Sequence, residues 1–239
     1  MKDYIKQTQE VIDKAPAKRF NVNNLEAFYH EVNLAKQHLS THDPVIAQLI
    51  KNVGEFRLKP HKKYFETLVD AIISQQLSTK AAESILNRFK DLFNDSGRKK
   101  RFPLPEEIIA MDGARIRACG LSNPKVAYVK DLASKVLDGT VKIHLLNKLP
   151  DEEIIIELVQ VKGIGVWSAH MFLMFCLARL DVLPVGDLGF RKSVMVDYKL
   201  KKMPGEKKIN SISKKNNWSP YRSVATWYLW QDLSLKNKK

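Results

Sequence analysis

The sequence predicts an all-α protein, and three observations carry that prediction. Apolar residues recur at helical spacing along nearly the whole chain. No stretch of strict apolar–polar alternation is long enough to read as a half-buried strand. Pro, Gly, Ser and Asn punctuate the periodic stretches where helices should start and stop.

The elements follow in order. Tyr64, Phe65, Leu68, Val69, Ile72 and Ile73 form one helical stripe. Ala82, Ile85, Leu86 and Phe89 form the next, with Ser78 as candidate N-cap. Ser122, Pro124 and Gly139 bracket a third helix, whose inner face is Val126, Val129, Leu132, Ala133 and Val136. A fourth opens at Pro150, with Asp151, Glu152 and Glu153 at the positive end of its dipole. Residues 166–179 and 220–232 read as two more, and the residues ahead of Tyr64 also read as helical. Three segments read as exposed loops or arms. They are 94–101 with Arg98, Lys99, Lys100 and Arg101; the lysine-rich 199–215, broken by Pro204 and Gly205; and the tail 236–239.

Composition narrows the partners. The 239 residues carry a formal charge of +14, from 40 Lys and Arg against 26 Asp and Glu. Such an excess fits a polyanion such as nucleic acid, an anionic membrane surface or an acidic protein, or else a soluble chain that is simply lysine-rich. The two cysteines, Cys119 and Cys176, form no C-x-x-C, which argues against a disulfide framework and against zinc or iron–sulfur sites. The first ten residues lack the apolar run of a signal peptide, and the longest apolar stretch, from Met171 to Ala178, is too short to span a bilayer. The expectation is a protein of a reducing intracellular compartment with no membrane partner.

The stretch L-V-Q-V-K-G-I-G-V-W-S-A, from Leu158 to Ala169, is the most informative. An acidic apolar helix runs into Gly163-Ile164-Gly165, and a second helix starts at once. Glycines one residue apart permit a tight turn and close approach of another backbone. The second helix offers unpaired N–H groups and its positive end, so a phosphate is the natural guest, although an ordinary helix corner has the same outline. Leu158, Val161 and Ile164 are placed to pin the two helices together.

The full pattern L-x-x-V-x-G-I-G-x-W-[ST]-A resembles the helix-hairpin-helix of the DNA glycosylase superfamily. The C-terminal segment W-S-P-Y-R-S-V-A-T-W-Y-L-W, from Trp218 to Trp230, is similar to the 3-methyladenine DNA glycosylase II branch. The resemblance covers about residues 42–233. It implies a single domain over residues 1–239, a compact two-lobed helical form with the active-site cleft between lobes, and no separate N-terminal β domain. Gly163, Ile164, Gly165, Ser168 and Lys125 are then the candidates for holding DNA backbone. Lys125 stands in G-L-S-N-P-K, which is similar to a family segment in which it contacts a phosphate or packs. The resemblance further implies a structural Na⁺ or K⁺ on the backbone carbonyls of Val159, Val161 and Ile164, with no cofactor needed for the reaction.

In the same family an aspartate follows the hairpin by about twenty residues, and Asp187 in L-P-V-G-D-L-G matches it. Read alone, an Asp after Gly186 is a helix N-cap; both roles are compatible. Breaking an N-glycosidic bond builds oxocarbenium character on the sugar, which an ionised carboxylate stabilises while it orients or deprotonates water. An alkylated purine is already cationic and leaves without a general acid. Bifunctional relatives carry an attacking lysine where this chain has Trp167, so water rather than an amine is the expected nucleophile. Asp181 matches a second, structural acid, expected to pair with Arg179 or to cap a turn.

The target base must be flipped out of the duplex and held. Trp167 and Trp230 match the two tryptophans that line the family pocket, where electron-rich rings suit a cationic purine. Trp218, Tyr221, Trp227 and Tyr228 read as core. Met171 and Leu188 stand where some relatives place tyrosines, a departure that makes this pocket less aromatic and leaves its substrate range open. Gln76 falls at the family's wedge position in I-S-Q-Q-L-S, with Leu77 as the apolar alternative and Gln75 placed to bond backbone. Arg222 is read as tying helices together.

The expected partner is double-stranded DNA containing alkylated bases, met by a monomer in a prokaryotic cytoplasm or, in a eukaryote, the nucleus. Two alternatives stay open at this level: a catalytically inactive helix-hairpin-helix lesion sensor, and a glycosylase for deaminated or oxidised bases. RNA binding is a more distant third.

Overall fold

The computed structural model describes residue 20 and residues 25–94 and 101–237. Every regular element among them is helical. In chain order these are α1 (Leu25–His42), α2 (Pro44–Val53), α3 (Tyr64–Ser74), α4 (Thr79–Leu92), α5 (Pro105–Ala110), α6 (Gly113–Ala118), α7 (Asn123–Leu137), a 3₁₀ turn (Leu146–Lys148), α8 (Asp151–Leu158), α9 (Val166–Phe175), α10 (Leu188–Asp197), α11 (Glu206–Lys215) and α12 (Arg222–Lys236).

Short side chains start several of these helices by satisfying first-turn N–H groups. Asp43 accepts from Val45 and Ile46, Ser78 from Ala81, and Asp112 from Ala114. Ser122 occupies the N-cap of α7 without a side-chain cap bond. Helix α9 is shorter than the apolar run suggests. It closes at Phe175, Leu177 N–H turns back to the Phe172 carbonyl, and Ala178 adopts a positive φ of 51°. Within 199–215, expected as a loop, Gly205 caps the helix α11, whose Ile209 and Ile212 are buried. A period of buried residues inside a lysine-rich surface was enough to fold it. Arg98, Lys99 and Lys100 of the first basic segment, and Lys238 and Lys239 of the tail, lie outside the described residues. Arg101 forks onto Glu107, and Lys236 ends α12 bound to Asp197 and Asp232.

The buried side chains form two clusters. One gathers α3 to α9 around Leu68, Ile72, Phe89, Val129, Leu132, Leu158 and Phe172. The other joins α1 and α2 to α10, α11 and α12 around Phe28, Leu39, Ile46, Phe190, Trp218 and Tyr228. Trp230 packs against both. Two ion pairs fix the connection after α9, and they differ from the expected Arg179–Asp181 pairing. Arg179, fully buried, pairs with Asp151 at 2.8 Å and donates to the Asn147 and Leu149 carbonyls. Asp181 instead takes the fork of Arg222, at 2.7 and 2.9 Å, and accepts Arg222 N–H at the start of α12. A planar guanidinium matches a carboxylate in this way, and Arg222 thereby joins the post-hairpin loop to α12. No described helix is long and apolar enough to cross a membrane.

Candidate active site and nucleic-acid interface

Asp187 sits where the two clusters meet. It is the N-cap of α10, its Oδ1 accepting Phe190 N–H at 2.6 Å. The same oxygen accepts the indole N–H of Trp230 at 3.0 Å, and Oδ2 accepts that of Trp167 at 2.8 Å. Trp167 comes from α9 and Trp230 from α12, so one carboxylate joins both halves. Three N–H donors on an acceptor-only group fix the plane of the carboxylate. A Cβ added to Gly189 would lie 3.3 Å from Asp187 Oδ1 and 3.6 Å from Trp230 Nε1, so the missing side chain is part of how closely these groups approach.

The aromatic candidates separate as expected from their surroundings. Trp218, Tyr221, Trp227 and Tyr228 are buried in the second cluster, whereas Trp167 keeps 46% of its surface exposed. Leu188, beside the carboxylate, is 67% exposed, and Met171 is half-buried. One wall residue went unread in the sequence. Phe175 stacks on Trp230 at 5.6 Å between centroids and 20° between planes, and it is partly open to solvent. Trp167, Met171 and Phe175 stand at i, i+4 and i+8, one face of α9, and that spacing was the available signal.

The hairpin between α8 and α9 is built from the expected pins. Leu158, Val161 and Ile164 are buried. Gly163 has φ 81°, and a Cβ there would sit 2.2 Å from Tyr128 Cδ2, so the tyrosine ring and the backbone both demand glycine. Nothing lies within 4 Å of a Cβ on Gly165, the N-cap of α9. The first N–H groups of α9, from Val166 to Ser168, face this open end of the helix, where an anion is favoured. Ser168 itself is buried, so its contribution there is its backbone. Ile164 donates its N–H to the Val161 carbonyl at 3.0 Å and buries its side chain, which makes it a pin rather than a grip.

Lys125 is likewise committed inside the protein and is not free for a phosphate. Its Nζ donates to the carbonyls of Ile73 and Gln75 at 2.7 Å each, and burial holds its pKa below the ordinary lysine value. Those carbonyls belong to the end of α3, where no intrahelical donor reaches them. The turn they support presents Gln76, at φ 57°, and Leu77, both exposed. Gln75 bonds backbone, as its position suggested: its Nε2 reaches the Gly163 carbonyl at 2.7 Å. The Gln76 turn and the hairpin are thus neighbours, and the hairpin helix α9 carries Trp167, which meets Asp187 from 20 residues further along the chain.

The family described as HhH-GPD superfamily base excision DNA repair protein matches residues 69–218. The chain is 36% identical over 219 residues to DNA-3-methyladenine glycosylase 1 of Schizosaccharomyces pombe, covering 90% of this chain and 93% of that protein. It is 35% identical over 234 residues to the DNA-3-methyladenine glycosylase of Saccharomyces cerevisiae, covering 83% and 79%. Among solved structures, the S. pombe 3-methyladenine DNA glycosylase in complex with abasic DNA superposes with a TM-score of 0.74 at 38% identity, covering 84% of this chain and 96% of that one. A DNA-3-methyladenine glycosidase from Bacillus halodurans gives the same TM-score at 31% identity, covering 86% and 91%.

Proposed function

The chain belongs to the HhH-GPD superfamily of base excision DNA repair proteins, and we propose that it is a monofunctional DNA glycosylase that releases alkylated purines and leaves an abasic site. The single observation that carries this reading is the Trp167–Asp187–Trp230 constellation: one oriented carboxylate between two indoles, at the mouth of a partly aromatic wall. The carboxylate stabilises positive charge as it develops on the deoxyribose and orients the attacking water. The rings of Trp167, Trp230 and Phe175 hold a cationic purine by stacking and cation–π attraction. Because the base already carries the charge that loosens its bond, no second acid is required, and among the described residues none stands beside Asp187 in the hydrogen-bond network. Trp167 has no amine to form a Schiff base, so strand cleavage is not part of the reaction.

The hairpin holds the DNA backbone through Gly163, Gly165 and the first N–H groups of α9, and Gln76 or Leu77 fills the gap left by the flipped nucleotide. The carbonyls of Val159, Val161 and Ile164 would hold a Na⁺ or K⁺. They fit such an ion because the hairpin 159–165 offers neutral backbone oxygen and no carboxylate. The ion would stiffen the turn that meets the phosphate, and the chemistry at Asp187 needs no cofactor.

The test is incubation of the purified chain with duplex DNA treated with a methylating agent. Free methylpurine with no strand nicking is the expected result. Binding without release of any methylated, deaminated or etheno-modified base would leave the lesion-sensor reading in its place.

A further inference from the structure

Three residues of α7 reach both DNA-facing loops. Lys125, Tyr128 and Asp131 are spaced i, i+3 and i+6, one ridge of the helix. Lys125 holds the carbonyls of Ile73 and Gln75, at the base of the wedge turn. Tyr128 lies against Gly163, so close that no Cβ fits between them. Asp131 accepts the Lys162 N–H at 2.8 Å and is itself held by Lys135 at 2.6 Å. Gln75 closes the circuit with its 2.7 Å bond to the Gly163 carbonyl, joining segments 88 residues apart in sequence.

We propose that α7 is a strut that registers the wedge turn against the phosphate-gripping hairpin, with Lys125, Tyr128 and Asp131, and Gln75 at the junction, as positioning residues for base flipping. The proposal rests on the glycosylase reading above. A wedge fills the vacated stack only if it enters at a fixed offset from the phosphates that the hairpin holds. A misplacement on the order of 1 Å costs up to ~100-fold in a rate that depends on such geometry. The ridge sets that offset from behind, by backbone contacts at both loops, without touching DNA. It also accounts for a half-buried lysine whose donors go to protein carbonyls.

The test compares the full chain with Lys125→Met, Lys125→Arg and Gln75→Leu. The probes are an undamaged duplex and a duplex with a tetrahydrofuran abasic analogue opposite 2-aminopurine. The expected result has three parts. Affinity of both loss-of-donor variants for undamaged duplex stays within about threefold of the parent. The 2-aminopurine signal at saturation is lost, and single-turnover base release falls at least ~10-fold. Lys125→Arg, which keeps donors, recovers part of the signal. The proposal is overturned if folded Gln75→Leu and Lys125→Met give the parent signal at saturation, or if they lose undamaged-duplex affinity in step with it. Should Lys125→Met fail to fold, Gln75→Leu decides alone, because it changes a side chain on the turn surface. The fluorescence arm needs no catalysis. A parent that gives the signal but releases no base therefore sinks the glycosylase reading and leaves the strut standing, whereas a parent without the signal sinks the strut.

Discussion

The indole N–H of Trp167 meets Oδ2 of Asp187 at 2.8 Å, so the residue that replaces an attacking lysine of bifunctional relatives serves here to aim the carboxylate. Trp230, on α12, holds the other oxygen. A neutral donor to a charged acceptor contributes about 1.5–3 kcal/mol. Trp167→Phe keeps an aromatic face and removes the donor. Base release should fall by about 10- to 150-fold with little change in binding of undamaged DNA. Trp230→Phe should behave alike, and the double variant should lose less than the product of the two, because both act through one carboxylate. Single-turnover kinetics read this directly.

The two hairpin glycines should separate folding from binding. Gly163→Ala forces a side chain onto φ 81° and against the Tyr128 ring, and should lower stability by about 2–4 kcal/mol. Adding Tyr128→Ala should recover part of that loss. Gly165→Ala meets nothing within 4 Å and loses only the better N-cap propensity of glycine, so it should cost about 1 kcal/mol or less. Its Cβ would stand where the proposed phosphate contact lies, so affinity for duplex DNA should drop about 10-fold. Thermal melts paired with anisotropy titrations distinguish the two outcomes.

Acid should weaken the fold through His170. Burial, and then the nearby Arg222 guanidinium, push its pKa down to about 4 from 6.5. The unfolded chain therefore binds a proton that the folded chain refuses between those values. The stability this group protects is fully present above pH 6.5 and is lost as pH falls toward 4. The loss should reach at most about 3 kcal/mol. Denaturant melts between pH 7 and pH 4.5 should show the decline, and His170→Gln should flatten it.

Much of this was legible because several signals agreed at the same residues. The stripe from Tyr64 to Ile73 and the Gly-Ile-Gly between Leu158 and Ala169 are local patterns, and local physics decides them. Asp187 was legible as cap and as carboxylate, and it occupies the cap while facing both indoles. Lys125 was legible as a phosphate or a packing contact, and it takes the packing role; the sequence did not decide between them because the carbonyls that claim it are 50 and 52 residues away. The Arg179–Asp181 pairing does not form for the same reason, since Asp151 and Arg222 are near in space and far in sequence, while the capping role also read for Asp181 is met at the Arg222 N–H. Helix α11 was hidden by its lysines, since Ile209 and Ile212 are the apolar residues of its buried face and Ser213 completes it. Phe175 lay on the face already occupied by Trp167 and Met171 and needed only the helical count.

The central claim is that Asp187 does the chemistry. Asn is a good N-cap and nearly isosteric, so Asp187→Asn should leave α10 intact. Single-turnover release of methylpurine from methylated duplex should fall about 100- to 1000-fold, while duplex affinity stays within about threefold of the parent. An Asn variant that folds, binds and still releases methylpurine at the parent rate would contradict the account.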